Sequence, residues 1–338
     1  MTQTNHQVRL AARPSGLPQP GDWSFTEEPV PEPAAGQFVV ENIFISLDPA
    51  MRGWMNAGAS YIDPVEIGDV MRAGAVGRIS ASEHQDFAVG DHVYGEFGVQ
   101  EHALSDGRGV IRVDPALAPL PTYLGTLGLT GLTAYFALLD TGKLAEGDTV
   151  VVSGAAGAVG SVAGQIARIK GAERVIGIAG GEDKCRWIVE DLGFDSAIDY
   201  KSQDVRAALR EQAPRGTDVY FDNVGGEILD AVLTRLARGA RIVICGAVSQ
   251  YNATGAVRGP ANYLALLVAR ASMTGMVIFD HAARFPQAAA ELGGWLADGR
   301  LISREDIVDG GVAAFPDALL KLFRGENVGK LVLRVGPA

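Results

Sequence analysis

Three glycines stand three residues apart, Gly154, Gly157 and Gly160, between an apolar β-type run at 150–153 and a helical pattern from Val159 onward. A strand-to-helix turn this tight calls for residues without Cβ, and a bare backbone lets a pyrophosphate approach. The helix start then offers unpaired N–H groups and the positive end of a dipole. The pattern Gly-x-x-Gly-x-x-Gly is a variant of the dinucleotide-binding fingerprint. Such triplets also arise from close helix–sheet packing, so the strand before and the helix after are the context that selects the dinucleotide reading.

The next apolar run, RVIGIA, ends about 20 residues beyond Gly157, where an acid usually meets a free ribose 2′-hydroxyl. Here the run closes on Ala179, Gly180 and Gly181. Small residues leave room for a 2′-phosphate, and Lys184 can pair with it. The spacing therefore favours NADP(H) over NAD(H). Read without a ligand, Glu182 and Asp183 are a charged first helical turn and Lys184 a solvated face.

Other chemistries lack their groups. His6, His84, His92, His102 and His281 form no His-Glu-x-x-His cluster, and Cys185 and Cys245 fall on separate elements. A tetrahedral zinc site has no evident donors, so no metal is expected. No Gly-x-Ser-x-Gly elbow or Cys/His nucleophile pattern occurs. Catalysis must then rest on the cofactor, with the protein positioning and polarising.

The elements that would position these residues change character along the chain. Up to about Val113 the runs FVVENIFISL, MRAGAVGRISAS, GDHVYGEFG and GVIRV predict short strands of a partly antiparallel β domain. From Thr122, strand and helix alternate: DTVVVSG, SVAGQIARIKG, RVIGIAG, EDKCRWIVEDLG, SAIDY, SQDVRAALREQA, TDVYFDNVG, EILDAVLTRLARG and ARIVICGAVSQ. Strict alternation implies parallel strands and right-handed crossovers. The expected fold class is α/β, a doubly wound parallel Rossmann sheet with a smaller β-rich domain. The expected boundaries assign residues 1–121 and 297–338 to the β-rich domain and 122–296 to the Rossmann domain, the tail returning to the first.

The 338-residue length suits two domains, and 47% hydrophobic with 20% charged residues describes a globular chain. A net charge of −11 repels nucleic-acid phosphates, so no nucleic-acid partner is expected. Two cysteines suit a reducing compartment, and the N-terminus lacks an apolar signal segment, so the cytoplasm is the expected location. The runs 115–139 and 149–167 carry no charge and are long enough to span a membrane. Their prolines, glycines and alanines instead favour buried elements of a water-soluble protein.

Longer motifs carry a resemblance. SLDPAMRGWM (46–55), FAVGDHVYG (87–95), LGTLGLTGLTAYFALL (124–139), SGAAGAVGSVAGQIARIKG (153–171), YFDNVGGEILDAVL (220–233), ICGAVSQYN (244–252) and ENVGK (326–330) occur in order over nearly the whole chain. The chain resembles the medium-chain dehydrogenase/reductase superfamily, and within it the zinc-free branch of prostaglandin reductases, alkenal double-bond reductases and bacterial curcumin reductases. Zinc-dependent relatives carry a ligating Cys about where Ser46 and Leu47 stand.

The resemblance implies a GroES-like first domain and a set of residue roles. Gly157, Ala158, Val159 and Gly160 would lie under the pyrophosphate. Lys184 and Tyr200 match contacts to the adenosine 2′-phosphate, although Tyr200 alone reads as a strand-end aromatic. Asn223 matches a cofactor contact, or serves as a turn residue. Cys245, Gly246, Ala247, Val248, Ser249, Gln250 and Tyr251 would wrap the nicotinamide ribose. Met276, Val277, Ile278 and Asn327 match further nicotinamide-side contacts, and Asn327 could equally be a helix C-cap before Gly329. Asp48 and Arg52, four apart, read as a structural ion pair.

Tyr251 is the expected catalytic residue, placed in related enzymes near the ribose hydroxyl and the substrate carbonyl; its other reading is a surface-loop tyrosine. The implied activity is NADPH-dependent reduction of the carbon–carbon double bond of α,β-unsaturated ketones and aldehydes. A quinone reductase and a non-catalytic NADPH-binding sensor are the alternatives. The expected partners are a small-molecule enone and a second copy of the chain, paired through the cofactor domains.

Overall fold

Strand formation near the N-terminus follows the apolar runs, with additions at residues 4–10, 23–29 and 102–105. In the computed structural model, which describes residues 3–58 and 60–337, β1 (Thr4–Leu10) and β2 (Trp23–Pro29) form an antiparallel hairpin. Neither strand has an obvious alternating pattern, because β1 buries polar side chains. Asn5 donates to His102 O at 2.8 Å and Gln7 to Gln100 Oε1 at 2.9 Å. Hydrogen-bonded amides are stable inside but invisible to hydrophobic periodicity.

β3 (Phe38–Ser46) is followed by α1 (Met51–Trp54), β4 (Gly74–Ser82), β5 (His92–Glu96), β6 (His102–Ser105) and β7 (Ile111–Arg112). β3 is buried along almost its whole length because it is flanked by β4 and β6. Phe38, Val40, Ile45, Met51 and Met55 pack into one core.

The chain then builds α2 (Leu129–Phe136), which continues as a single wider turn over Ala137–Thr141, and the alternating run. Its members are β8 (Thr149–Ser153), α3 (Ala158–Ile169), β9 (Arg174–Ala179), α4 (Glu182–Glu190), β10 (Ser196–Asp199), α5 (Val205–Gln212), β11 (Thr217–Asp222), α6 (Gly226–Leu233), β12 (Leu236–Ile244), α7 (Ala265–Ala269), β13 (Ser272–Gly275) and α8 (Phe285–Ala297). The strands are parallel in the order β10-β9-β8-β11-β12-β13, a doubly wound sheet that reverses direction between β8 and β11. Val150 and Val152 face one core with α3 and α8; Val151 faces the other with α5 and α6.

One expected helix is shorter than its pattern. Residues 227–239 read as one helix, yet α6 stops at Leu233 and β12 begins at Leu236. Thr217 N–H donates to Arg235 O at 2.8 Å, and Leu236 pairs with Thr217, so sheet pairing outcompetes the helical periodicity.

The tail supplies β14 (Glu305–Val308), α9 (Phe315–Arg324) and β15 (Lys330–Arg334). β15 pairs antiparallel with β3, so the last segment returns to the first unit. The two units comprise the chain up to Leu124 plus Glu305 onward, and Gly125–Arg304. Residues 298–304 stay with the second unit, beyond the expected division at 297. Leu301 is buried in its core, and Gln165 holds Ile302 through bonds of 3.0 and 2.7 Å. Among the described residues no helix is long and apolar enough to cross a membrane.

Candidate active site

The three glycines divide their work. Gly154 leaves β8 at φ 60°, a left-handed conformation that favours glycine. A Cβ on Gly160 would sit 2.3 Å from Gly154 O, so only glycine lets α3 approach the turn. Gly157 is the N-cap of α3, in extended backbone, and no side chain caps the helix. The amides of Ala158, Val159 and Gly160 open the helix, where N–H groups lack intrahelical acceptors. Such a turn, with glycine at its tightest points and neither an acid nor a capping side chain, fits a pyrophosphate.

The turn lies beside the reversal of the sheet, where open α/β folds place ligands at the carboxyl ends of strands. At the end of β11, Asn223 donates its side-chain amide to Ser153 O at 2.7 Å and its backbone N–H to Ser153 Oγ at 2.9 Å. This welds the ends of β8 and β11 together. The fully buried Asp222 sits beneath: its Oδ1 accepts from Ser153 Oγ, Tyr220 Oη, and the backbone N–H groups of Val224 and Gly225, at 2.8–3.0 Å. Its carbonyl accepts from Cys245 and Gly246 N–H. One aspartate thus ties together the turns after β8, β11 and β12, a role that the motif FDNVGG did not reveal.

The 245–251 loop packs onto the β11–α6 turn. Val248 N–H donates to Asn223 O, and Ser249 Oγ donates to Val224 O at 2.6 Å. Burial, and then the nearby Asp222, push the Cys245 thiol up to about 12, so it stays protonated. Tyr251 folds back so that its hydroxyl oxygen accepts from Ala247 N–H at 3.1 Å. The ring is half-buried. Gln250 N–H closes the turn onto Ala247 O. The loop therefore holds its phenol through a backbone amide of its own turn.

At the end of β9 no acid appears. Gly180 and Gly181 lead into α4, whose third residue is Lys184. The Tyr200 ring lies over Gly180, where a Cβ would meet it at 2.8 Å. Asp199 accepts from Gly181 N–H at 2.8 Å, from Lys201 N–H and from Ser202 Oγ, which holds its carboxyl below the usual range. Glu182 and Asp183 both face Arg186.

Met276 extends beside β12, its N–H donating to Ile244 O at 3.1 Å, and Met276 and Ile278 pack against the core of this unit. Val277 lies between them in extended backbone. Gly157, Ala158, Val159, Gly160, Lys184, Tyr200, Asn223, the 245–251 loop and residues 276–278 thus all belong to the Gly125–Arg304 unit. Asn327 lies in the other unit, donating to Gly329 O at 3.0 Å. It does not cap α9, which ends at Gly325 with φ 63°.

Asp48 does not pair with Arg52. Lys330, almost fully buried, donates to Asp48 Oδ1 at 2.6 Å and to Leu47 O at 2.9 Å, while Ser46 Oγ donates to the other oxygen of Asp48. Arg52 instead donates to Gly16 O, Pro14 O and Asn56 Oδ1. Met51 and Met55 are buried in the core of the first unit, and Tyr61 is exposed. Among the described residues no group of three or more His, Cys, Asp or Glu could hold a metal ion.

Two family models match, one described as the N-terminal domain of oxidoreductase over residues 6–113 and one as zinc-binding dehydrogenase over residues 158–293. The NADPH-dependent curcumin reductase of Escherichia coli is 41% identical over 339 residues, covering 98% of this chain and 97% of its own. The chain belongs to the medium-chain dehydrogenase/reductase superfamily. Within that superfamily the mouse prostaglandin reductase 1 is 38% identical over 325 residues, covering 94% of this chain and 95% of its own. CurA of Vibrio vulnificus in complex with NADPH matches with a TM-score of 0.93 at 42% identity, covering 98% of this chain and all of that one.

Proposed function

We propose that this oxidoreductase uses NADPH to saturate the carbon–carbon double bond of α,β-unsaturated ketones and aldehydes. NADPH at this site would supply a hydride to the β-carbon of the enone. The amides of Gly157, Ala158, Val159 and Gly160 would hold the pyrophosphate, and Lys184 with Tyr200 the 2′-phosphate. Asn223, the 245–251 loop and residues 276–278 would line the nicotinamide side. The NADPH complex of CurA and the naming of the curcumin reductase support the choice of cofactor.

The observation that carries the reading is the placement of Tyr251. Hydride addition puts negative charge on the substrate carbonyl oxygen. An oriented O–H donor stabilises that charge more in the transition state than in the ground state. Accepting the Ala247 amide polarises the Tyr251 hydroxyl and fixes its ring, which strengthens it as a donor. Tyr251→Phe keeps the ring and removes the donor. It is expected to lower turnover on an enone about 10²–10³-fold, roughly 3–4 kcal/mol. Unchanged turnover removes Tyr251 from the mechanism. Product analysis separates this activity from quinone reduction, since a saturated ketone and a hydroquinone differ.

We also infer a homodimer through the cofactor units. β13 pairs with β12 on one side and is the terminal strand of its sheet. Beside it Leu264, Leu267 and Val268 are 60%, 75% and 72% exposed, a patch that a second copy would cover. Light scattering tests this. The two free thiols suit the cytoplasm.

A further inference from the structure

We propose that Lys201 is a second lysine of the 2′-phosphate site and a determinant of the preference for NADPH over NADH. This rests on the reading that NADPH is the cofactor, and Lys201 is not among the residues that the family motifs mark. Lys201 follows Tyr200 in the turn after β10, and the geometry folds its side chain back over the end of β9. A Cβ on Gly180 would meet Lys201 Cε at 2.9 Å, as closely as it meets the Tyr200 ring. The ammonium, one bond of about 1.5 Å further on, therefore lies near Gly180. That is where the cofactor's ribose would lie if the pyrophosphate occupies the α3 turn.

The turn that carries Lys201 is braced. Asp199 accepts its backbone N–H at 3.0 Å together with Gly181 N–H and Ser202 Oγ. The same carboxylate thus fixes both the glycine pair and the lysine, and it is already engaged by three donors. Glu182 and Asp183, the nearest acids on α4, turn toward Arg186. Lys184 stands in the first turn of α4 and Lys201 in the turn after β10. Two cations on separate elements suit a group carrying close to two negative charges, whereas a ribose hydroxyl gains little from either.

The test is the cofactor specificity of Lys201→Gln. The kcat/KM for NADPH is expected to fall about tenfold while that for NADH changes less than twofold, the loss of one charge-assisted contact. Inhibition by 2′,5′-ADP should weaken by the same factor and inhibition by 5′-AMP should not. Lys201→Arg should restore most of the NADPH preference. Equal losses with both cofactors would mark a structural residue and overturn the proposal, as would an unchanged NADPH constant. Lys184→Gln is the control. If it lowers NADPH preference and Lys201→Gln does not, the cofactor reading stands and the Lys201 assignment falls. If the wild-type protein itself prefers NADH, the cofactor reading fails first.

Discussion

Lys330→Met tests the buried charge cluster of the first unit. The side chain of Lys330 is 3% exposed and that of Asp48 is 23% exposed, with 2.6 Å between Nζ and Oδ1. Methionine keeps the stem and removes the charge, leaving Asp48 with Ser46 as its remaining side-chain donor and Leu47 O without the ammonium. Breaking a buried pair from one side costs about 3–5 kcal/mol, and the partial hydration of Asp48 places this one near the lower end, about 3 kcal/mol. With a urea m-value of about 2 kcal/mol/M, the unfolding midpoint of this unit should drop by about 1.5 M. Hydrogen exchange read by mass spectrometry should localise the loss to β3 and β15. Lys330→Met combined with Asp48→Leu should recover part of the stability, because no uncompensated charge remains. A single-variant shift below about 0.3 M, or a double variant as unstable as the sum of the singles, refutes the reasoning.

Gly160→Ala brings a Cβ to 2.3 Å from Gly154 O, so NADPH affinity measured by fluorescence titration should fall at least about tenfold, with far-UV circular dichroism reporting retention of the fold. Asp204 caps α5 by accepting from Ala207 N–H at 2.9 Å, and Asp204→Ala should cost about 1 kcal/mol in urea unfolding. His102 is buried and its pKa is lowered below 6.5, first by desolvation. It therefore favours folding at neutral pH, and that contribution is lost as pH falls below 6.5, because the unfolded chain takes up the proton first. A smaller loss between pH 7.5 and pH 5.5 in His102→Gln than in wild type, by thermal melting, checks the sign. Cys185 and Cys245, raised to about 11 and about 12, should react slowly with a disulfide reagent at pH 8 in the native protein and fast once unfolded.

The cofactor half was legible because its signals are local. The spacing of Gly154, Gly157 and Gly160 follows from one turn and one helix start, and the strand–helix alternation dictates a parallel sheet. The β1–β2 hairpin was not legible, because Asn5 and Gln7 are stable inside only through partners about 95 residues away. The end of α6 was misread because LTRLARG has helical periodicity, and its pairing with β11 decides otherwise. Lys201 is not legible either, since nothing in IDYKSQD says that the lysine folds back over Gly180.

By itself the sequence determined the doubly wound class, the glycine cradle and the absence of an acid after β9, because each depends on residues within one supersecondary unit. Only the tertiary structure decided that Asp222 ties three loops together, that Asp48 pairs with Lys330 rather than Arg52, and that the hydroxyl of Tyr251 is held by Ala247. Those arrangements depend on which strand ends the sheet order makes neighbours, and on turn geometry that no residue spacing encodes.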